Sequence, residues 1–256
     1  NHEYNFSQST ANRILRTWPY FSVFTFPQAG ECGGVASTKP NYYSFDIGNI
    51  HFLSLDSHGM ESTDGNSEMG TNSATTVMKN WIAADLAANT KKWVIAYWHH
   101  PPYSKGSHNS DTETQMINIR TNFIGFLEQR GVDMIIGGHS HAYERSYLMK
   151  NFTGLWTTFN TAAPPTGHRV SSSTAKYDGT VGGAPYKYNS TPLNHGTVYV
   201  VAGNAGANNS SISGFGANAF PWAVATPGIF YFEVEDNRLD AKMLRSTGVI
   251  FDQFTI

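Results

Sequence analysis

A chain of 256 residues, 40% of them hydrophobic and 14% aromatic, is long enough to enclose one large core or two small ones. Its 17 Lys and Arg against 19 Asp and Glu leave a net charge of −2 with no basic run, which disfavours a nucleic-acid surface and a membrane-attracting face. No apolar stretch reaches the length of a membrane-spanning helix, nothing resembles a signal peptide, and the single cysteine, Cys32, excludes an internal disulfide and a four-thiolate metal site.

In chain order, Asn41 to Ile47 and Ile50 to Leu55 alternate aromatic or branched residues across a Gly48-Asn49 turn, the pattern of a β-hairpin whose second strand ends at Asp56. Ala74 to Ala88 places Val77, Trp81, Ile82 and Leu86 at helical spacing, and the apolar run Trp93 to Trp98 follows as a buried strand. Thr112 to Gln129 repeats the helical pattern with Met116, Ile119, Phe123 and Leu127. Gly131 then stops the helix, and Val132 to Ile136 starts the next strand. Strand, helix and strand in this order predict a parallel crossover. Residues 153–194 have loop composition and are expected to form a surface insertion, after which Thr197 to Ala202 resumes as a strand. Ile229 to Glu235, Arg238 to Arg245 and Val249 to Ile256, separated by Asp236-Asn237 and Gly248, predict a closing antiparallel meander.

The chemistry lies where two of these strands end. His99 follows the run into Trp98, and His139 and His141 follow the run into Ile136, so both strands deliver histidines to one rim of an open α/β sheet. With a side-chain period of two, His139 and His141 are expected on one side of an extended segment. A lone histidine after a strand is commonly a hydrogen-bonded rim residue. Two such strand ends, in Trp-His-His-Pro-Pro and Gly-Gly-His-Ser-His, favour a metal site.

Asn1-His2-Glu3, Trp98-His99-His100-Pro101-Pro102-Tyr103 and Gly138-His139-Ser140-His141-Ala142-Tyr143-Glu144-Arg145 together resemble the calcineurin-like metallophosphoesterases. The last string is similar to the purple acid phosphatase branch in particular, and Thr197 to Ala207 is similar to that branch's C-terminal strand and glycine turn. The resemblance implies an α/β fold, a four-layer αββα sandwich with a two-metal site at the sheet rim, and a loop-rich insertion within one domain spanning 1–256. It implies that Asn1, His99 and His139 bind one metal, that His141 binds the other, and that the metals are drawn from Fe, Zn and Mn. His2 would stabilise or protonate the leaving oxygen, and His108 would contact the substrate phosphate. The functional reading is favoured for both over that of ordinary loop histidines, more strongly for His2 than for His108. His100 reads as a supporting or structural residue, Glu144 and Arg145 as an ion pair bracing the histidine loop, and Asp56 as a residue able to support the ligands. His51, His58, His168 and His195 carry no spacing signal.

The implied activity is hydrolysis of phosphomonoesters by attack of a metal-bound hydroxide, with a small-molecule phosphate ester as partner and neither nucleic acid nor membrane indicated. A phosphodiesterase or nucleotidase of the same family is the near alternative, and an inactive extracellular binding or structural protein on this fold is the distant one. The departure that motivates the last is that no Asp stands in a matching motif. The sequence opens inside the Gly-Asn-His motif, so the family's carboxylate and tyrosine ligands would precede residue 1, as expected of a piece of a longer protein, and this stretch alone would be inactive and poorly folded. The low charge, the Ser, Thr, Asn and Gly-rich loops, and Asn-x-Ser/Thr sequons at Asn5, Asn151, Asn189, Asn208 and Asn209 suit a secreted glycoprotein.

Overall fold

The chain is described here by a computed structural model over residues 19–59, 67–187, 193–206, 212 and 218–256. Asn1 and His2 lie outside those residues, as do the sequons at Asn5, Asn189, Asn208 and Asn209.

After a short helix α1 (Pro19–Val23), the hairpin forms as strands β1 (Tyr43–Ile47) and β2 (Ile50–Ser54), with Ile47 opposite Ile50 across the Gly48-Asn49 turn. Gly48 sits at φ +58°, the left-handed conformation that such a turn requires. Helix α2 (Val77–Ala88) begins at Thr76, whose side chain accepts the Lys79 N–H at 3.1 Å and so caps the first turn. Strand β3 (Trp93–Trp98) runs parallel to β2. The expected helix over 112–129 is divided into α3 (Thr114–Asn122) and α4 (Ile124–Glu128) by Phe123 at φ −124°, off the helical value. Helical spacing continues across the break, and Ile119, Phe123, Ile124 and Leu127 are all buried. Strand β4 (Met134–Gly137) then joins β3 in parallel, which bears out the parallel crossover.

Beyond β4 come β5 (Tyr143–Arg145), a 3-10 turn over Trp156–Thr158, β6 (Val198–Ala202), β7 (Trp222–Val224), β8 (Gly228–Glu235), β9 (Arg238–Arg245) and β10 (Ile250–Thr255). Among the described residues the large sheet has the order β1-β2-β3-β4-β6-β5-β7, with β2, β3, β4 and β6 parallel and the remaining pairs antiparallel. The meander β10-β9-β8 forms a separate antiparallel sheet.

Strand alternation sorts the core into two layers. Val94, Ala96 and Trp98 join Met78, Trp81, Ile82, Ile119 and Leu127 on the helix side. Trp93 and Ile95 join Met134, Val198, Val200, Leu239, Ala241, Met243 and Phe254 between the sheets. The result is helices, a mixed sheet and a second sheet stacked in that order, the α/β architecture expected. On its other face the meander shows Glu233, Glu235 and Arg238 exposed, and no described helix covers it.

Two of the expected features differ in detail. β5 is a three-residue strand with two charged residues that no run of apolar residues announces, and β7, equally short, lies in the apolar run Ala219 to Ala225, which the expected elements leave out. Glu144 and Arg145 do not pair with each other, because successive strand residues point to opposite faces. Glu144 accepts from Ser104 Oγ at 2.5 Å, whereas Arg145 reaches the second sheet and pairs with Asp252 at 2.5 and 2.9 Å.

Candidate metal centre

β3 and β4 lie side by side with Trp98 opposite Gly137, so the residues after each strand meet at the same rim. Their approach is close enough that a Cβ on Gly137 would stand 2.8 Å from the Pro101 Cβ and 3.0 Å from its Cα, which leaves only glycine there. Gly138 N–H donates to His99 O at 2.9 Å and ties the two ends together.

Here the segment after β4 departs from the extended form expected of it. Ser140 N–H donates to Gly138 O at 2.6 Å and Ala142 N–H to Ser140 O at 2.8 Å, curling residues 138–142 into successive tight turns. His139 takes φ +58°, a conformation disfavoured for a residue with a Cβ and concentrated at functional sites. This turns the His139 ring toward His99, with its side chain only 11% exposed, and leaves His141 exposed, its N–H donating to Ser107 Oγ at 2.8 Å.

His139 Nδ1 lies 3.1 Å from His99 Nε2. Two imidazole nitrogens each about 2.05 Å from a shared zinc ion are separated by about 2.9 Å at right angles and about 3.3 Å in a tetrahedron, so the observed spacing fits a common cation. Burial and the neighbouring His108 ring push His139 down to about 4, against the pull of Glu113, and keep its imidazole in the neutral form that a metal requires. His100, buried behind the pair with its ring 4.5 Å from that of His139, is also held neutral, by burial and by the rings of His139 and His99. Its Nδ1 is 2.9 Å from Ser57 Oγ, which also accepts the His100 N–H at 3.1 Å, so it is fixed as a supporting residue. His99, His100 and His139 offer ligand atoms all within 4.8 Å of one another, as do His108, Glu113 and His139.

His108 stacks on His139 with ring centroids 3.7 Å apart, and its Nδ1 is 2.8 Å from Glu113 Oε1. Glu113, at the N-terminal cap position of α3, also reaches His139 Nε2 with Oε2 at 3.3 Å. Glu113 carries no motif in the sequence, being a single glutamate in a polar loop, and its spacing of five residues from His108 is the signal that points to it. An open cleft of roughly 230 Å³, lined by Tyr43, Asp56, His58, Tyr97 and His99 among others, lies beside the centre. Asp56 accepts the His58 and Gly59 N–H groups at 2.9 and 2.8 Å and so shapes that cleft.

The other histidines are accounted for elsewhere. His51 lies near the start of β2, toward the opposite rim, clamped between Asp46 at 2.8 Å and Asp85 at 2.7 Å. His195 pairs with Asp133 at 3.0 Å, and His168 Nδ1 accepts the Asn160 N–H at 3.0 Å.

The calcineurin-like phosphoesterase family profile matches residues 1–143, which include every histidine of the three motifs and the strands β1 to β4. Purple acid phosphatase 13 of Arabidopsis thaliana is 30% identical over 156 residues, covering 59% of this chain and 25% of that protein. An acid phosphatase of Aspergillus ficuum is 30% identical over 166 residues, covering 52% of this chain and 25% of its own length. The chain thus spans about a quarter of the length of these curated relatives. The solved structure of purple acid phosphatase PPD1 from yellow lupin (Lupinus luteus) seeds superimposes with a TM-score of 0.60 at 19% identity, over 84% of this chain and 32% of that one, and shares its fold. With more than half of its 256 residues under the family profile, and with the matched stretch carrying the converging histidines, the chain belongs to the calcineurin-like phosphoesterase family.

Proposed function

We propose that the protein is a metal-dependent phosphoesterase that hydrolyses phosphomonoesters, with residues 1–256 forming the larger, C-terminal part of one catalytic domain. The observation that carries this reading is the 3.1 Å approach of His99 Nε2 and His139 Nδ1 at the strand-end rim, with His108 stacked on the outer face of His139. Two cations held at this centre, from among Fe, Zn and Mn, would supply an activated water and offset the charge gathering on the phosphoryl oxygens.

The chain's own residues then divide the work. His99 and His139 would hold one ion, with Asn1 as the further ligand the family resemblance implies, and His141, exposed at the mouth, would be available to the other. His108 would contact the substrate phosphate through Nε2, the ring nitrogen turned away from Glu113, which donates to a phosphate oxygen only when both ring nitrogens carry protons. His2, outside the described residues, would serve the leaving oxygen as the resemblance implies. The acid phosphatase names of the relatives favour monoesters over diesters, and the low charge with an exposed sequon at Asn151 favours a secreted glycoprotein.

The test is a panel of phosphomonoesters, diesters and nucleotides assayed on the intact protein with each metal supplied. Monoester turnover that falls about 100-fold or more in His99→Ala and His139→Ala is the expected outcome. Turnover of diesters alone would replace the monoesterase reading with a phosphodiesterase one, and activity indifferent to both substitutions would remove the metal centre from the mechanism.

A further inference from the structure

We infer that Glu113 is a positioning residue that fixes the tautomer of His139, holding the proton on Nε2 so that Nδ1 faces His99 with its lone pair free for a metal ion. This inference rests on the metal-site reading above.

The geometry makes the assignment. An ionised carboxylate only accepts hydrogen bonds, so a histidine nitrogen bonded to it carries a proton. Glu113 Oε2 lies 3.3 Å from His139 Nε2, and the opposite nitrogen of the same ring, Nδ1, is the one 3.1 Å from His99 Nε2. A neutral imidazole protonated on Nε2 is unprotonated on Nδ1, so the carboxylate on one side dictates a free ligand atom on the other. A histidine ligand commonly gives its second N–H to a carboxylate or carbonyl in this way, and loss of such a partner weakens metal binding by about 10- to 100-fold.

Three features show that Glu113 is held for this purpose. It occupies the N-cap of α3, where a short polar side chain normally caps the helix, yet its carboxylate makes no cap hydrogen bond. The carboxylate turns outward to the histidines instead. Its other oxygen, Oε1, accepts the Asn109 N–H at 3.1 Å and faces His108 Nδ1 at 2.8 Å, which locks its orientation. The loop beneath is itself braced, because the Glu113 N–H donates back to Asn109 O at 3.0 Å. A single carboxylate therefore sets the protonation of a metal-side ring and of the ring stacked on it.

Glu113→Gln separates this role from space-filling. The amide has the same shape, but its NH₂ cannot accept a proton donor, so Gln can serve His139 Nε2–H or His108 Nδ1–H and not both. Zinc titrated alone into the intact protein is expected to bind Glu113→Gln at least about tenfold more weakly than wild type, with the unfolding temperature of the zinc-free protein unchanged. In the zinc-free wild type, histidine nitrogen NMR shifts are expected to report His139 protonated on Nε2; a wild-type ring protonated on Nδ1 overturns the inference without any variant. Zinc affinity in Glu113→Gln within twofold of wild type, while His139→Ala loses it, overturns the role of Glu113 and leaves the metal site standing. Zinc affinity unchanged in His139→Ala as well removes the metal site and this inference together.

Discussion

Glu128 shows how a buried charge away from the centre shapes the protein's response to pH. It ends α4 with 2% of its surface exposed, accepting the Tyr199 O–H at 2.6 Å and the Asn151 N–H at 2.7 Å. Burial dominates those bonds and pushes its carboxyl up to about 7. Between its ordinary value of 4.5 and about 7 the folded protein therefore holds a proton that the unfolded chain has released. Bound protons favour the state that binds more of them, so stability falls as pH rises through this window. Glu128→Gln keeps the shape and removes the titration. Urea unfolding at steps of pH from 4 to 8 is expected to show the wild type losing stability across the window, by an amount on the order of 3 kcal/mol, relative to the Gln variant. Parallel curves for the two proteins would show that Glu128 is ionised in the fold throughout.

At the scale of elements, one of the contacts that join the two sheets is a buried ion pair on a strand of three residues. Arg145 on β5 meets Asp252 on β10 through Nε at 2.5 Å and Nη2 at 2.9 Å, with both side chains fully buried. Its guanidinium lies 3.4 Å from the Trp222 ring centroid and 4.7 Å from that of Phe254. Asp252→Ala strands the Arg145 charge in the core and is expected to cost about 3 kcal/mol or more in chemical denaturation. Arg145→Met combined with Asp252→Ala is expected to cost less than the sum of the single changes. Additive losses would show that the pair is not coupled. The sequence made the long strands and helices legible because burial on one or both faces writes a pattern into six or more residues: β3 over Trp93–Trp98 and β9 over Arg238–Arg245 match the expected bounds. β5 was not legible as a strand for the opposite reason. It is three residues long, its two charged side chains are buried by partners 39 or more residues away in the chain, and no local pattern encodes them. The same limit applies at the centre. His99 and His139 announce themselves by ending apolar runs, whereas the turn that separates His139 from His141 depends on backbone hydrogen bonds that a period-two argument cannot contain.

For the whole molecule, the position of the centre ties metal binding to the integrity of the sheet. His99 leaves β3 and His139 leaves β4, so one ion held by both rings would clip together the ends of two central parallel strands that otherwise meet through backbone bonds and the packing of Gly137 on Pro101. The unfolded chain offers no such preformed pair, because the two histidines are then joined only by 40 residues of flexible backbone. Binding to the folded state alone stabilises it by about 2.7 kcal/mol when free metal stands at 100 times its dissociation constant. For a chain of this size that corresponds to a rise of roughly 5–10 °C in unfolding temperature. The expected outcome is a melting temperature that climbs with the logarithm of free zinc in the intact protein, returns to its starting value with a chelator, and ceases to respond in His99→Ala and in His139→Ala. A scan in which zinc leaves the wild-type melting temperature unmoved would mean that these two rings do not share an ion. Their closeness at the rim would then be a matter of packing alone.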